Sequence, residues 1–131
     1  MNIENIPMWL KMSGGFICFS FTAVFGGMDA LLWTLLAFIV LDYVTGILAA
    51  VISKSLSSTV GFYGLLKKAA ILTVVAVAHL IGRIVGLQEI RSFVIGFYIA
   101  NEGLSILENA GRLGVPLPEK IIDVLEQLKA K

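Results

Sequence analysis

The feature that most constrains this chain is the run Ala30–Ile52, which carries a single charge, Asp42, in an otherwise largely apolar sequence. As a helix rising about 1.5 Å per residue, this run would be roughly 34 Å long, enough to cross a hydrocarbon core of about 30 Å. The whole chain is biased in the same way, because 58% of its 131 residues are hydrophobic and only 15% are charged. Soluble domains have roughly 45–50% apolar and about 25% charged residues. We therefore predict a membrane protein.

Further apolar stretches lie on both sides of this run. The stretch that precedes it is joined to it by the turn-like sequence GGMD at residues 26–29, and it either crosses the bilayer or lies in the interface. Two more stretches follow, the last of them shorter and more polar. The prediction is an all-α, polytopic transmembrane protein with three or four spans, at about residues 12–28, 30–52, 69–87 and 92–110.

The C-terminal residues are predicted to form a separate tail. The sequence GVPLP at residues 114–118 disfavours helix before its prolines, so the last span should end by about Arg112. From Glu119 onward, apolar residues recur at helical spacing and predict a short amphipathic helix. We expect a transmembrane domain at residues 1–112, with a connecting loop at 53–68, and a tail at 113–131.

The distribution of basic residues predicts the orientation. Lysine and arginine are more frequent in the 53–68 loop and the tail than in the link between the last two spans, so loop and C-terminus should be cytoplasmic. Four spans would place the N-terminus on the same side, and three would place it outside.

Charged residues within the spans are the first candidates for function. A charge at a helix centre costs about 2.5–3.5 kcal/mol on insertion scales, and so it usually faces protein or water. Asp42 and His79 lie near the midpoints of their predicted spans, with Arg83 one turn farther out. We therefore expect an Asp42–His79 or an Asp42–Arg83 pair. The alternative is a protonated Asp42 carboxyl that only holds helices together.

Small and polar residues mark the helix faces that can approach closely in lipid. Gly46 follows Asp42 by one turn, and a polar face runs beside Glu102 on the last span. These faces could pack against one another or, in a ring of several copies, line a lumen. The intramembrane residues expected to act in helix association or oligomerisation are Asp42, Gly46, His79, Arg83, Asn101, Glu102, Ser105 and Glu108.

Several functional classes are disfavoured. A net charge of +1 gives no basic surface for nucleic acid, and the single cysteine, Cys18, cannot form an internal disulfide. The sequence has no nucleophile elbow, phosphate loop or metalloprotease motif, and His79 is its only histidine. We expect no catalytic residues, no metal and no cofactor.

Four short sequences together resemble the toxin-secretion and phage-lysis holin family. They are LDYVTG at residues 41–46, SSTVGFYGLLKK at 57–68, EGLSILEN at 102–109 and GVPLP at 114–118. Prophage holins of Gram-positive bacteria and the clostridial toxin-release holin belong to this family. Besides Asp42, Gly46, Glu102 and Ser105, the pattern residues are Ser57, Ser58, Gly61, Gly64, Lys67, Lys68, Gly114, Pro116 and Pro118.

The resemblance implies a protein that accumulates in the bacterial cytoplasmic membrane, forms homo-oligomers and opens lesions at a set time. Through these lesions an endolysin, or a toxin, would reach the wall without binding the protein directly. We hypothesise that Asp42, His79, Arg83 and Glu102 are paired within the protomer at first and are re-paired or hydrated in the lesion.

Two other functions remain open. Intramembrane Asp and His residues also mark proton paths, so the chain could be a small ion or proton-coupled channel or transporter subunit. It could equally be a non-conducting antiholin or a membrane scaffold.

Overall fold

The computed structural model describes residues 3–130, with the side chains of Ile3 and Lys129 excepted, so residues 1, 2 and 131 of the predicted segments lie outside the described part. A short 3-10 turn at Ile3–Asn5 precedes five α-helices, and the described residues include no strand. The helices are α1 (Met8–Phe25), α2 (Ala30–Ile52), α3 (Ser58–Val85), α4 (Glu89–Arg112) and α5 (Glu119–Lys129).

Helices α1 to α4 are each long and apolar enough to cross a membrane. This confirms the prediction of an all-α polytopic protein, with the four-span arrangement as the one that the helix lengths support. The span at residues 30–52 has the predicted bounds, and the first and last spans are shifted or extended by a few residues. The tail helix is present from Glu119.

The third span is longer than predicted, and the expected loop at residues 53–68 is wrong. The connection is only residues 53–57, because Ser57 caps α3 by accepting a hydrogen bond from the Val60 amide at 3.2 Å. Serine is a favoured N-cap residue. The glycines that suggested a loop, Gly61 and Gly64, lie within α3 and face the ring of Tyr43 on α2. Lys67 and Lys68 are therefore helical residues.

The apolar core lies in one half of the bundle. It consists of Leu32, Leu35, Ile39, Ile71, Val75 and Ile95, all at most 8% exposed. These side chains come from α2, α3 and α4, and they lie between the middle of the bundle, where Ile71 is, and the end that contains residues 26–29. Many other large apolar side chains are exposed on the outer helix faces, as expected where lipid is the solvent.

Helix α1 lies at the edge of the bundle. It has no buried residue and packs mainly against α3. Gly26 ends α1 in the left-handed conformation, with φ of +81°, and its amide donates to the Thr22 carbonyl oxygen at 2.8 Å. Asp29 then caps α2 by accepting a hydrogen bond from the Leu32 amide at 2.9 Å. The turn at residues 26–29 thus ends α1 and begins α2 with a capping contact at each helix end.

Candidate functional site

Three charged side chains meet in the interior of the bundle, one from each of α2, α3 and α4. The Lys68 ammonium donates to Oδ2 of Asp42 and to Oε2 of Glu102. All three residues are buried, with exposed fractions of 8% for Asp42, 9% for Lys68 and 1% for Glu102. We call these residues the ion triad.

Asn109 completes the polar contacts of Asp42. Its Nδ2 lies 3.0 Å from Oδ1 of Asp42 and 3.2 Å from the Asp42 carbonyl oxygen. The same nitrogen lies 3.1 Å from Oγ1 of Thr45. Both carboxylate oxygens of Asp42 therefore accept hydrogen bonds, one from Lys68 and one from Asn109. Buried polar groups that are satisfied in this way hold helices together at a defined register.

The helices bring the triad to one depth because each member lies near the middle of its helix. Asp42 and Glu102 are within two residues of the midpoints of α2 and α4, and Lys68 is within one turn of the midpoint of α3. On α4, Glu102 and Asn109 are seven residues apart and so share one face after two turns. With both carboxyls ionised the triad carries a net charge of −1, which favours contact with water over contact with lipid.

The expected pairing of Asp42 with His79 or Arg83 is wrong. Because α3 begins at Ser58 instead of residue 69, its midpoint moves toward Lys68, and His79 lies three turns farther along the helix. His79 is buried next to Gly26, and its Nδ1 has no hydrogen-bond partner among residues 3–130. Arg83 is exposed in the last turn of α3.

A second polar cluster ties α4 to the turn between α1 and α2. The buried Arg91 donates to both carboxylate oxygens of Asp29, at 2.6 and 3.2 Å. It also donates to the carbonyl oxygens of Phe25, at 2.6 Å, and Gly27, at 3.1 Å. The hydrogen bond from Arg91 lowers the pKa of Asp29 below its usual value of 3.8, against a smaller opposing effect of burial. This cluster lies at the opposite end of the apolar core from the ion triad.

A cleft of about 290 Å³, lined by both polar and apolar residues, lies on the other side of the triad, between α2, α3 and α4. Asp42 and Lys68 form its inner part, and Ser55 and Leu56 of the 53–57 connection line its outer part. The rest of the lining consists of Tyr43, Gly46, Ile47, Ala50, Val60, Gly61, Gly64, Lys67, Ser105, Asn109 and Arg112. The small residues on α2 and α3 leave this space open, and the Tyr43 hydroxyl donates to the Gly61 carbonyl oxygen at 3.4 Å.

The remaining predicted residues are dispersed. Asn101 is exposed in the middle of α4, although the adjacent Glu102 is buried, and Glu108 is half-buried. Ser58 is exposed in the first turn of α3. Gly114 turns the chain after α4 with φ of +87°, and Pro116 and Pro118 lead into α5. Within residues 3–130 no group of His, Cys, Asp or Glu is placed to hold a metal ion.

Sequence reasoning missed three residues of these clusters. Lys68 and Asn109 were both within the sequences that carry the family resemblance, but Lys68 was assigned to a loop and Asn109 was not singled out. The seven-residue spacing of Asn109 from Glu102 was the available signal. Arg91 is interpreted from sequence only as a basic residue in a link, and no sequence signal marks its pairing with Asp29, 62 residues earlier.

Residues 20–130 match the model of the bacteriophage holin family. The chain is 46% identical over 132 residues to an uncharacterised 14.9 kDa protein in the nagH 3' region of Clostridium perfringens, with 99% of this chain and 98% of that protein covered. An uncharacterised protein of Listeria monocytogenes is 46% identical over 112 residues, covering 85% of this chain and 80% of that protein. A probable holin of Bacillus phage phi105 is 38% identical over 92 residues, covering 70% of this chain and 68% of that protein. No solved structure gives a significant match.

Proposed function

The chain belongs to the bacteriophage holin family, and we propose that it assembles into homo-oligomers in a bacterial cytoplasmic membrane and forms lesions that release an endolysin or a toxin. It does so without a catalytic step, and the muralytic enzyme is its functional partner with no direct contact. The phage protein named a probable holin supports this reading, because it is 38% identical to this chain over 92 residues, or 70% of the chain.

The ion triad is the structural observation that carries the proposal. A holin has to be harmless while it is dispersed and disruptive once it has assembled. Within one protomer, Lys68 lies between the carboxylates of Asp42 and Glu102, so the charges are paired away from lipid. The same three helices could separate at the weakly packed α2–α3 contact and expose these charges to a lumen shared by several copies. In the hypothesis that buried charges are paired within the protomer and re-paired or hydrated in the lesion, Lys68 therefore takes the place of His79 and Arg83.

The outer face of α4 is the surface that we assign to contact between copies. Asn101 is exposed at mid-span, and Gly96 and Ala100, which share the adjoining face of the helix, are exposed and have small side chains. Nothing lies within 4 Å of where a Cβ of Gly96 would be. Copies inserted with the same topology hold Asn101 at the same depth, and an amide can both donate to and accept from another amide. Small residues with an interhelical polar contact are typical of helix association in membranes.

We also propose that the 53–57 connection and the C-terminal tail face the cytoplasm. Four spans place both ends of the chain on one side of the membrane. Lys11, Lys54, Arg112 and Lys120 are then on that side. The opposite end carries Arg83 and Arg91, of which Arg91 is paired with Asp29. This distribution agrees with the excess of basic residues in cytoplasmic segments.

Induction of the chain in a bacterial host, with and without a cytoplasmic muralytic enzyme, tests the function. We expect an abrupt loss of viability in both cultures and loss of turbidity only where the enzyme is present. Selective ion conductance in cells that stay viable would instead indicate a channel or transporter subunit. A chain that inserts without any effect, or that delays lysis by another holin, would indicate a scaffold or an antiholin.

The variant Asp42→Asn tests the role of the triad in lesion formation. It is nearly isosteric, and it leaves Lys68 paired with Glu102 at a net charge of zero. Because the neutral cluster has less need of water, the closed protomer is favoured, and lysis should occur later at equal expression. Membrane insertion should be unchanged. Unaltered lysis timing would count against a role of the triad, and Thr34→Val, at an exposed site outside the cleft, is the control.

A further inference from the structure

The ion triad lies between the cleft in one half of the bundle and the packed apolar core in the other half. On α2 the cleft residues Gly46 and Ala50 come after Asp42, and the core residues Leu35 and Ile39 come before it. The direction of α3 is opposite to that of α2, and accordingly Gly64 precedes Lys68 whereas Ile71 and Val75 follow it. On both helices the change from cleft lining to packed core therefore occurs next to a member of the triad.

Helix α4 shows the same division. Ser105, Asn109 and Arg112 line the cleft after Glu102, whereas Ile95 belongs to the core before it. The cleft thus reaches from the 53–57 connection to the triad, and the apolar core continues from the triad toward the 26–29 turn. From Asp42 to Ile52 the helical rise gives a depth of roughly 15 Å for the cleft.

We propose that the cleft holds water that reaches the triad from the 53–57 side only, and that the apolar core is the permeability barrier of each protomer. This inference goes beyond lesion formation and concerns the protein before it assembles. The cleft would therefore admit water and small hydrophilic solutes.

The size and lining of the cleft support its hydration. A cavity needs roughly 10–15 Å³ to hold one water molecule, so a cleft of about 290 Å³ has room for several water molecules. Polar groups of Asp42, Lys68, Ser105 and Asn109 are available as hydrogen-bond partners, and a buried water typically needs two to four of them. Charged side chains at this depth favour water over lipid as a neighbour.

The core has the opposite properties. Leu35, Val75 and Ile95 are each 0% exposed, and Leu32 is 1% exposed. They form one cluster with partly buried Phe21, Leu36 and Leu72. A packed region without polar side chains offers no partners for water, and cavities of that kind stay dry. A continuous aqueous path through one protomer therefore requires displacement of this cluster.

Cysteine accessibility in membrane vesicles tests the proposal. All variants carry Cys18→Ala, because Cys18 is exposed and would react itself. Ser105→Cys probes the cleft with little change of volume, and Val75→Cys probes the core. Ser55→Cys and Gln88→Cys, both at exposed positions, report the two faces of the membrane. A charged, membrane-impermeant thiol reagent is added to right-side-out and to inside-out vesicles at low expression, before lesions form.

We expect Ser105→Cys to react only in the vesicle orientation in which Ser55→Cys reacts, and Val75→Cys to react in neither. Protection of Ser105→Cys from both sides would show that the cleft is dry and would overturn the proposal. Reaction from the Gln88 side, or reaction of Val75→Cys before lesions form, would overturn the assignment of the barrier. These results do not depend on lysis, so failure here is distinguishable from failure of the proposed holin function.

Discussion

Lys68 and Glu102 form an ion pair between α3 and α4 at a depth where Glu102 is almost completely buried. Lys68 also forms an ion pair with Asp42. Among residues 3–130, its ammonium group is the only positively charged group that contacts the carboxylate of Asp42 or of Glu102. Removal of one partner of a buried pair typically costs about 3–5 kcal/mol, since the other charge is left buried and unpaired. The stability of the bundle should accordingly depend more on Lys68 than on any other lysine.

The variant Lys68→Met should lower thermal stability in detergent micelles strongly, by about 3–5 kcal/mol if the loss has the usual size for a buried pair. The adjacent Lys67→Met is the matched control, because Lys67 is exposed and forms no ion pair within the described structure. Its stability should be close to that of the native sequence. Addition of Asp42→Asn and Glu102→Gln to Lys68→Met should restore much of the loss. Equal stability of the two single variants would contradict an energetic role of the triad.

The transmembrane class of this protein could be predicted from sequence, because length and hydropathy alone decide whether a helix can cross a bilayer. The Asp42 partner could not. Its identification required the start of α3, and a segment that contains Ser57, Gly61 and Gly64 has the composition of a loop. In lipid, however, glycine is common within helices, and Ser57 begins a helix by capping it. An error of three turns at one helix end was sufficient to exchange Lys68 for His79.

The Arg91 cluster illustrates a second limit of sequence reasoning. Arg91 and Asp29 are 62 residues apart, and both occur at helix ends, where charged residues are normally solvated. Their pairing depends on the packing of α4 beside the α1–α2 turn, which no local pattern specifies. The buried Asp42 and Glu102, in contrast, could be identified as candidates because a charge within an apolar span needs a partner.

Gly26 should be one of the least replaceable glycines of the chain. Its φ of +81° is unfavourable for other residues, and an added Cβ would lie 2.7 Å from Nδ1 of His79 and 2.8 Å from Nε of Arg91. The left-handed backbone conformation alone should cost an alanine about 1–2 kcal/mol, so Gly26→Ala should lower the melting temperature in micelles. Gly14→Ala, in a helical and open position, should leave it unchanged or raise it. Similar melting temperatures for the two variants would mean that the turn tolerates rearrangement.

The Asp29–Arg91 pair should make the α1–α2 turn sensitive to acid. Because the pKa of Asp29 is lowered in the folded protein, the pair stabilises the fold above the usual value of 3.8 and ceases to do so as the pH falls through the lower folded value. The comparison is with Asp29→Asn, which retains an N-cap residue. The difference in melting temperature between the two proteins should be constant from neutral pH to about pH 5 and should shrink below about pH 4. A difference that grows on acidification would contradict the sign of this effect. The change in this melting-temperature difference with pH should be modest, since the Asp29 side chain is 48% exposed.

Asn101 should stabilise contacts between protomers without affecting the protomer itself. It is exposed at mid-span, whereas the adjacent residue, Glu102, is buried and belongs to the ion triad. Asn101→Leu removes the amide and is compatible with lipid, so it should reduce the oligomer fraction in cross-linking experiments at equal expression. Interhelical polar contacts in membranes average about 0.6 kcal/mol and reach roughly 1–2 kcal/mol, which corresponds to a loss of up to roughly 30-fold in the association constant per contact. Thr34→Val is the matched control, because the Thr34 hydroxyl is also exposed but donates to the Ala30 carbonyl oxygen of its own helix at 2.8 Å. If Thr34→Val lowers the oligomer fraction as much as Asn101→Leu does, the contact is not specific to the outer face of α4.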